Sequence, residues 1–124
     1  MKKVIATEHA PKAVGPYSQA IMTGDTLFVS GQIPVNPEDG SVKDSIEDQS
    51  RQALKNVGEI LKAAGMDYSN VVKTTVLLAD IADFKAMNAV YAEFFTSEQP
   101  ARACFQVAAL PLGVKVEIEA IAVK

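Results

Sequence analysis

The chain has no tryptophan, one cysteine and one histidine among its 124 residues. A single cysteine excludes a disulfide within the chain and any site built from several thiolates, and a single histidine excludes a histidine cluster. His9 lies in a proline-containing segment without a second candidate ligand nearby, so we expect an exposed polar residue there. The sequence predicts neither a metal site nor a bound cofactor.

Long apolar runs and an excess of basic residues are also missing. Twelve Lys and Arg residues against 15 Asp and Glu residues give a net charge of -3, which argues against a large basic face for nucleic acid. No segment approaches the roughly 20 apolar residues that span a bilayer, and the opening MKKVIATEHAPK lacks the apolar core of a signal peptide. We expect a cytoplasmic protein that binds neither nucleic acid nor membrane.

The residues that are present describe an ordinary globular protein. Hydrophobic residues make up 48% of the chain and charged residues 22%, which fits neither a disordered nor a fibrous class. A chain of this length builds one hydrophobic core but has no room for a separate substrate domain. We therefore expect residues 1–124 to form a single domain.

Periodicity divides the chain into six strand candidates and two helices. The strand candidates are 4–6, 17–22, 26–31, 71–78, 102–107 and 114–123. The first helix is predicted to begin at Asp44 or Ser45 and to end before Gly65, and the second to run from about Asp83 to Phe95. This order of elements predicts an α+β fold in which both helices cover one face of a mixed sheet.

Apolar residues at spacings of three and four predict the buried face of each helix. In the first helix this stripe comprises Ile46, Ala53, Leu54, Val57, Ile60, Leu61 and Ala64, and in the second it comprises Phe84, Met87, Tyr91 and Phe94. The segment VVKTTVLL is dense in β-branched residues, which is typical of a central strand.

The segment PARACFQVAALPLGVKVEIE brings a cation, a thiol and a carboxylate onto two strands that follow each other closely. Alternation places Arg102 and Cys104 on one face of the first strand and Glu117 on the polar face of the second. Because a short connection favours antiparallel neighbours, we expect Arg102 and Glu117 on the same helix-free face of the sheet. The alternative interpretation is a pair of solvated strand residues or a surface ion pair.

The same segment resembles the C-terminal signature of the RidA/YjgF family, the reactive intermediate imine deaminases. The motifs IATEHAPKAVGPYSQA, FVSGQIPVNPEDG and AAGMDYSNVVKTTVLLADIADFKAMNAVYAEFF agree with that family in the same order. The resemblance implies a chorismate-mutase-like (YjgF-like) fold, assembled as a homotrimer with sites between subunits. It also implies that Arg102 and Glu117 are the functional pair. Residue patterns alone indicate only that a half-apolar, helix-free sheet face meets another subunit.

Five further residues are assigned to the pocket by this resemblance. On residue chemistry alone, Tyr17 is a packed aromatic, Ser30 and Gly31 form a bulge or strand end, and Asn88 is a boundary polar residue. Cys104 has no histidine partner in its motif, so we expect a pocket wall rather than a nucleophile. The connection 96–99 is shorter than the phenylalanine-containing loop of some relatives, which affects only the pocket rim.

The function implied by the resemblance is hydrolysis of 2-iminobutyrate and 2-iminopropionate to 2-keto acids and ammonia. Arg102 would anchor the substrate carboxylate through a two-pronged contact, and Glu117 would hold and activate water. The first alternative is a ligand-binding regulatory protein linked to purine or amino-acid metabolism. The others are a ribonuclease or translation inhibitor, which the acidic balance disfavours, and a holdase chaperone.

Overall fold

A computed structural model describes residues 1–124 and contains six strands and two helices. The strands are β1 Lys2–Ile5, β2 Ala20–Thr23, β3 Thr26–Gln32, β4 Val71–Leu78, β5 Ala101–Gln106 and β6 Val116–Val123, and the helices are α1 Ile46–Ala63 and α2 Phe84–Phe94. The strands form one mixed sheet in the order β1-β2-β3-β6-β4-β5. Both helices pack on one face of this sheet, which confirms the predicted architecture. No helix is both long and apolar enough to cross a membrane.

Strands β2 and β3 form a hairpin and pair antiparallel from Ala20 opposite Val29 to Thr23 opposite Thr26. Gly24 adopts a φ of 56° in the turn, a conformation that glycine reaches without a steric penalty. β2 begins at Ala20, three residues later than predicted, because Tyr17 belongs to the loop before it.

Helix α1 begins and ends as its sequence predicts. The Ser45 hydroxyl accepts a 3.0 Å hydrogen bond from the Asp48 amide at the N-cap, and Glu47 and Asp48 lie at the positive end of the helix dipole. Gly65 follows the C-cap with a φ of 74°. The predicted apolar stripe of α1 is buried at every position.

Helix α2 follows its predicted stripe only in part. Met87 and Tyr91 are buried against the sheet, whereas Phe84, at the first position of the helix, is 38% exposed. Phe84 is therefore a partly solvated residue at the rim of the core, and the expectation that it is buried is wrong.

Strands β5 and β6 are not neighbours, contrary to the prediction. Helix α2 is the crossover of a β4-α2-β5 unit, so β5 pairs parallel with β4 on the outer edge of the sheet. β6 then inserts between β3 and β4 and pairs antiparallel with both. The short connection between β5 and β6 therefore joins two strands that are separated by β4, and it does not form a hairpin.

This topology places Arg102 and Glu117 on opposite faces of the sheet, which corrects the expectation of a shared face. Arg102 pairs with Thr74 and therefore faces the helices, as Thr74 does. Glu117 pairs with Leu77, which lies three residues further along β4 and so faces the other way. Cys104 pairs with Val76 and also faces the helices, not the helix-free side.

The helix-free face is partly apolar and open. Its side chains include Phe28 from β3 and Phe105 from β5, which are 47% and 48% exposed. Ile121, opposite both Phe28 and Lys73 in the sheet, lies on the same face. By contrast, the opposite face of β6, including Val116 and Ile118, is completely buried under the helices.

Candidate active site

Arg102 lies beneath helix α2 at the edge of the sheet, where its charge has no partner carboxylate. Its Nη1 donates a 2.7 Å hydrogen bond to Asn88 Oδ1, and its guanidinium carbon lies 4.8 Å from the centre of the Tyr91 ring and 5.4 Å from that of Phe84. The ion pairs of the chain involve Arg51 and not Arg102. A partly buried guanidinium without a counter-ion is prepared to receive an anion.

Cys104 lies two residues further along β5 on the same face as Arg102. Burial raises the pKa of its thiol, an effect that the positive charge of Arg102 opposes in part. The side chain packs against the hydrophobic core. A thiol with a raised pKa is a poor nucleophile.

Glu117 occupies the other face of the sheet. Burial raises the pKa of its carboxyl group, and the neighbouring carboxylate of Glu119 raises it further. Neither an arginine nor a lysine of the chain forms an ion pair with Glu117. A carboxylate with a raised pKa and free lone pairs has the properties of a general base.

Gly31 makes room for the Glu117 carboxylate. A Cβ atom placed on Gly31 would overlap the Glu117 side chain, so glycine is required by space rather than by backbone angle. Ser30 and Gly31 form a bulge, since the register between β3 and β6 shifts between Val29 and Gln32. The bulge anticipated from the residues alone is therefore present.

Ser30 is already engaged within the chain. Its hydroxyl donates a 2.6 Å hydrogen bond to the Ser18 carbonyl, and its amide donates to the Gln19 carbonyl at 2.9 Å. These bonds hold the segment before β2 against the end of β3. Ser30 therefore stabilises the conformation of the loop before β2, and its backbone amide is not free to bind a ligand.

Tyr17 lies in that loop with 49% of its surface exposed. Together with Phe28, Ser30, Glu119 and Ile121 it lines a depression of about 550 Å³ on the helix-free face. Tyr17 and Ser30 therefore lie near each other at one end of the β2–β3 hairpin. Neither Arg102 nor Asn88 lines this depression.

One chain therefore carries two separate half-sites. The cationic half-site, on the helix side of β5, consists of Arg102, Asn88 and Cys104. The acidic half-site, on the helix-free face, consists of Glu117, Gly31, Ser30 and Tyr17. In the acidic half-site Glu117 lies against Gly31, and Tyr17 and Ser30 line a depression on the same face that Glu117 does not line. The two half-sites are not joined within one chain.

Two residues at Arg102 were missed as site residues by the sequence analysis. Phe84 and Tyr91 were assigned to the core stripe of α2, yet both rings contact the guanidinium. Their spacing from Asn88, four residues before and three after it, is the signal that was available, because such residues share one helix face.

The fold and the half-sites define a class of protein: a small α+β protein with an unpaired, partly buried arginine on an edge strand and a carboxylate on the opposite sheet face. A family model described as Endoribonuclease L-PSP matches residues 7–124. The chain belongs to this family, the RidA/YjgF family.

Curated relatives and solved structures agree with this membership. The chain is 58% identical over 122 residues to Reactive Intermediate Deaminase A, chloroplastic, of Arabidopsis thaliana, a match that covers 98% of this chain and 65% of the plant protein. It is 54% identical over 125 residues to human 2-iminobutanoate/2-iminopropanoate deaminase, covering 100% of this chain and 91% of that protein. The crystal structure of E. coli TdcF with bound serine superposes with a TM-score of 0.94 at 47% identity and covers 98% of both chains.

Proposed function

We propose that this protein is a 2-iminobutanoate/2-iminopropanoate deaminase, which hydrolyses short 2-imino acids to 2-keto acids and ammonia. The observation that carries the proposal is the uncompensated guanidinium of Arg102, held by Asn88 and two aromatic rings. The human and Arabidopsis relatives, each matched along nearly all of this chain, bear deaminase names. The bound serine of TdcF is itself a small carboxylate with nitrogen on C2.

Arg102 anchors the substrate. Its planar guanidinium matches a carboxylate in geometry and charge, and the remaining N–H groups point to no acceptor of the chain. Anchoring fixes the position of C2 and of the imine nitrogen relative to the rest of the site. Much of the rate enhancement for such an easily hydrolysed bond comes from this positioning.

Glu117 handles the water and the proton. It removes a proton from water as the oxygen bonds to C2 of the protonated imine, and the electron pair of the C=N bond moves to nitrogen to give a neutral carbinolamine. Glu117 then returns the proton to nitrogen. As the C–N bond breaks and ammonia leaves, the hydroxyl gives its proton back to Glu117 and becomes the keto oxygen, and this last proton converts ammonia to ammonium. The raised pKa of Glu117 brings its base strength closer to that needed at neutral pH.

The complete site is formed between two subunits of a homotrimer. Within one chain β4 separates β6 from β5, so Arg102 and Glu117 are about 10 Å apart across the strands and face opposite sides. A four-carbon substrate cannot contact both from a single chain. The exposed apolar surface around Phe28 and Phe105 supports burial of the helix-free face against a neighbouring copy.

The test is the decay of 2-iminobutyrate, generated in situ by a threonine dehydratase, with wild-type protein, Arg102→Ala or no protein. We expect faster decay with the wild type alone, because loss of a charge-assisted clamp costs about 2 to 5 kcal/mol of transition-state binding. Arg51→Ala is the matched control, since Arg51 forms only exposed ion pairs. Equal decay in all samples, with folded and assembled protein, would contradict the proposal and favour the regulatory ligand-binding alternative.

A further inference from the structure

Three side chains of α2 surround the guanidinium of Arg102. Phe84, Asn88 and Tyr91 stand at positions i, i+4 and i+7 and therefore share one face of the helix. Asn88 accepts a hydrogen bond from Arg102 Nη1. The guanidinium carbon lies 5.4 Å from the centre of the Phe84 ring and 4.8 Å from that of the Tyr91 ring. The cation therefore contacts both rings and the amide.

The Tyr91 ring is itself held in place. Its hydroxyl shares a 2.6 Å hydrogen bond with the Thr74 hydroxyl on β4, and Thr74 and Tyr91 are only 1% and 6% exposed. The ring also packs against Phe95, with 4.7 Å between ring centres. Since Thr74 is the β4 partner of Arg102 in the sheet, ring and guanidinium are fixed to the same part of the scaffold.

The Phe84 ring is positioned by the turn that precedes α2. The Ile81 amide donates a 2.9 Å hydrogen bond to Gln106 Oε1, at the end of β5. Gln106 lies on the same face of β5 as Arg102, four residues further along. The bond therefore fixes the start of α2 to the strand that carries the cation.

One edge of the guanidinium remains open. Nη1 is bonded to Asn88, whereas Nε and Nη2 donate to no acceptor of the chain. Nε and Nη2 form the side-on fork that takes both oxygens of a carboxylate in one plane. With Nη1 occupied by Asn88, this fork is the free edge of the guanidinium.

We propose that Phe84, Asn88 and Tyr91 form a cradle that positions Arg102 so that it receives the substrate carboxylate side-on through Nε and Nη2. These three are positioning residues, acting through Arg102. The inference rests on the proposed function for the carboxylate ligand. The affinity of Arg102 for the carboxylate then depends on residues that contact Arg102 and not the substrate.

The experiment measures binding of 2-oxobutanoate, the proposed product, by titration calorimetry, together with KM and kcat in the imine assay. Phe84→Leu and Tyr91→Leu should each weaken binding and raise KM about three- to thirtyfold, the range expected for a partly desolvated cation–π contact. Tyr91→Phe keeps the ring and should retain most of the affinity. Phe94→Leu is the matched control, because this α2 aromatic packs on Tyr68 and not on Arg102.

The outcomes separate this inference from the proposed function. If Arg102→Ala binds 2-oxobutanoate like the wild type, the anchor itself is wrong. If Arg102→Ala loses binding while Phe84→Leu and Tyr91→Leu keep wild-type affinity, the anchor stands and the cradle is overturned. Should Tyr91→Leu fail to fold, Phe84→Leu decides alone, since Phe84 is partly exposed.

Discussion

Glu117 is a carboxylate that the protein keeps on a partly buried strand without a cation bound to it. Burial is the larger cause of its raised pKa, and the carboxylate of Glu119 is the second. Lys73 and Lys2 are the basic groups that, with Glu119, line the adjoining depression on this face. This environment disfavours the charged form of Glu117 and so favours uptake of a proton. A general base must take up a proton and release it again in each catalytic cycle.

Activity should therefore fall in acid as Glu117 becomes protonated. A raised pKa places this loss at higher pH than for an ordinary glutamate, since the base works only when ionised. Glu119→Gln removes a like charge and lowers the pKa of Glu117, so its pH–rate profile should keep activity to lower pH than the wild type. Glu59→Gln, on helix α1 and outside both half-sites, is the control and should leave the acid limb in place. An acid limb that stays unchanged in Glu119→Gln would argue against Glu117 as the titrating base.

At the scale of elements, the bulge of β3 and the crossover at β5 determine where the site residues lie. The bulge brings Gly31 under the carboxylate of Glu117. The crossover turns Arg102 toward α2 and away from Glu117. The acidic half-site thus depends on the bulge in β3, and the cationic half-site depends on the crossover to β5. Strand alternation alone does not determine either.

Gly31→Ala should leave the fold nearly intact but impair catalysis. The added methyl group meets the end of a flexible side chain, which can move aside at little cost to stability. Because the displaced group is the proposed base, we expect kcat/KM to fall about 10- to 100-fold, with a melting temperature close to that of the wild type. Gly15→Ala, whose Cβ would lie 3.6 Å from the Tyr17 ring in ordinary contact, is the control. Full activity in Gly31→Ala would show that the Glu117 position is not critical.

The sequence predicts the elements better than their arrangement. The Ser45 cap, Gly65 and the α1 stripe are local signals, and local signals suffice to define a helix. The pairing of β5 with β4 depends on a crossover that a short loop after β5 does not reveal, so the prediction of adjacent β5 and β6 failed. The predicted placement of Arg102 on the helix-free face was wrong for the same reason. The alternation that puts Arg102 and Cys104 on one face of β5 was correct.

The site is predictable to the same degree. Arg102, Glu117 and their companions are recognisable by the motifs they occupy, whereas Phe84 and Tyr91 resemble core residues at helical spacing. Only the position of α2 over β5 shows that these rings contact a cation. Tertiary packing, not residue type, distinguishes an aromatic that only fills the core from one that also contacts a cation.

At the scale of the whole molecule, the helix-free face is the surface that the proposed assembly buries. Phe28→Asp places a charge in the middle of this partly apolar surface and should shift the protein from trimer to monomer, because burying an unpaired carboxylate at an interface is unfavourable. Sedimentation velocity measures the change. The imine assay should show loss of activity in parallel, since a monomer holds two unconnected half-sites.

Lys55→Asp on the exposed side of α1 introduces the same side chain on the opposite face of the molecule and should remain trimeric. A Phe28→Asp protein that remains an active trimer would show that this face lies outside the subunit interface. A wild-type protein that is monomeric and active would contradict the proposed assembly altogether.

The most direct test of a site shared between chains mixes two inactive variants, Arg102→Ala and Glu117→Gln, after unfolding and joint refolding. In randomly mixed trimers about a quarter of the sites combine an intact Arg102 from one subunit with an intact Glu117 from its neighbour. We therefore predict recovery of about a quarter of the wild-type deaminase activity, with each variant refolded alone remaining inactive. Absence of recovery, in mixtures shown by mass spectrometry to contain hybrid trimers, would contradict a site assembled from two chains.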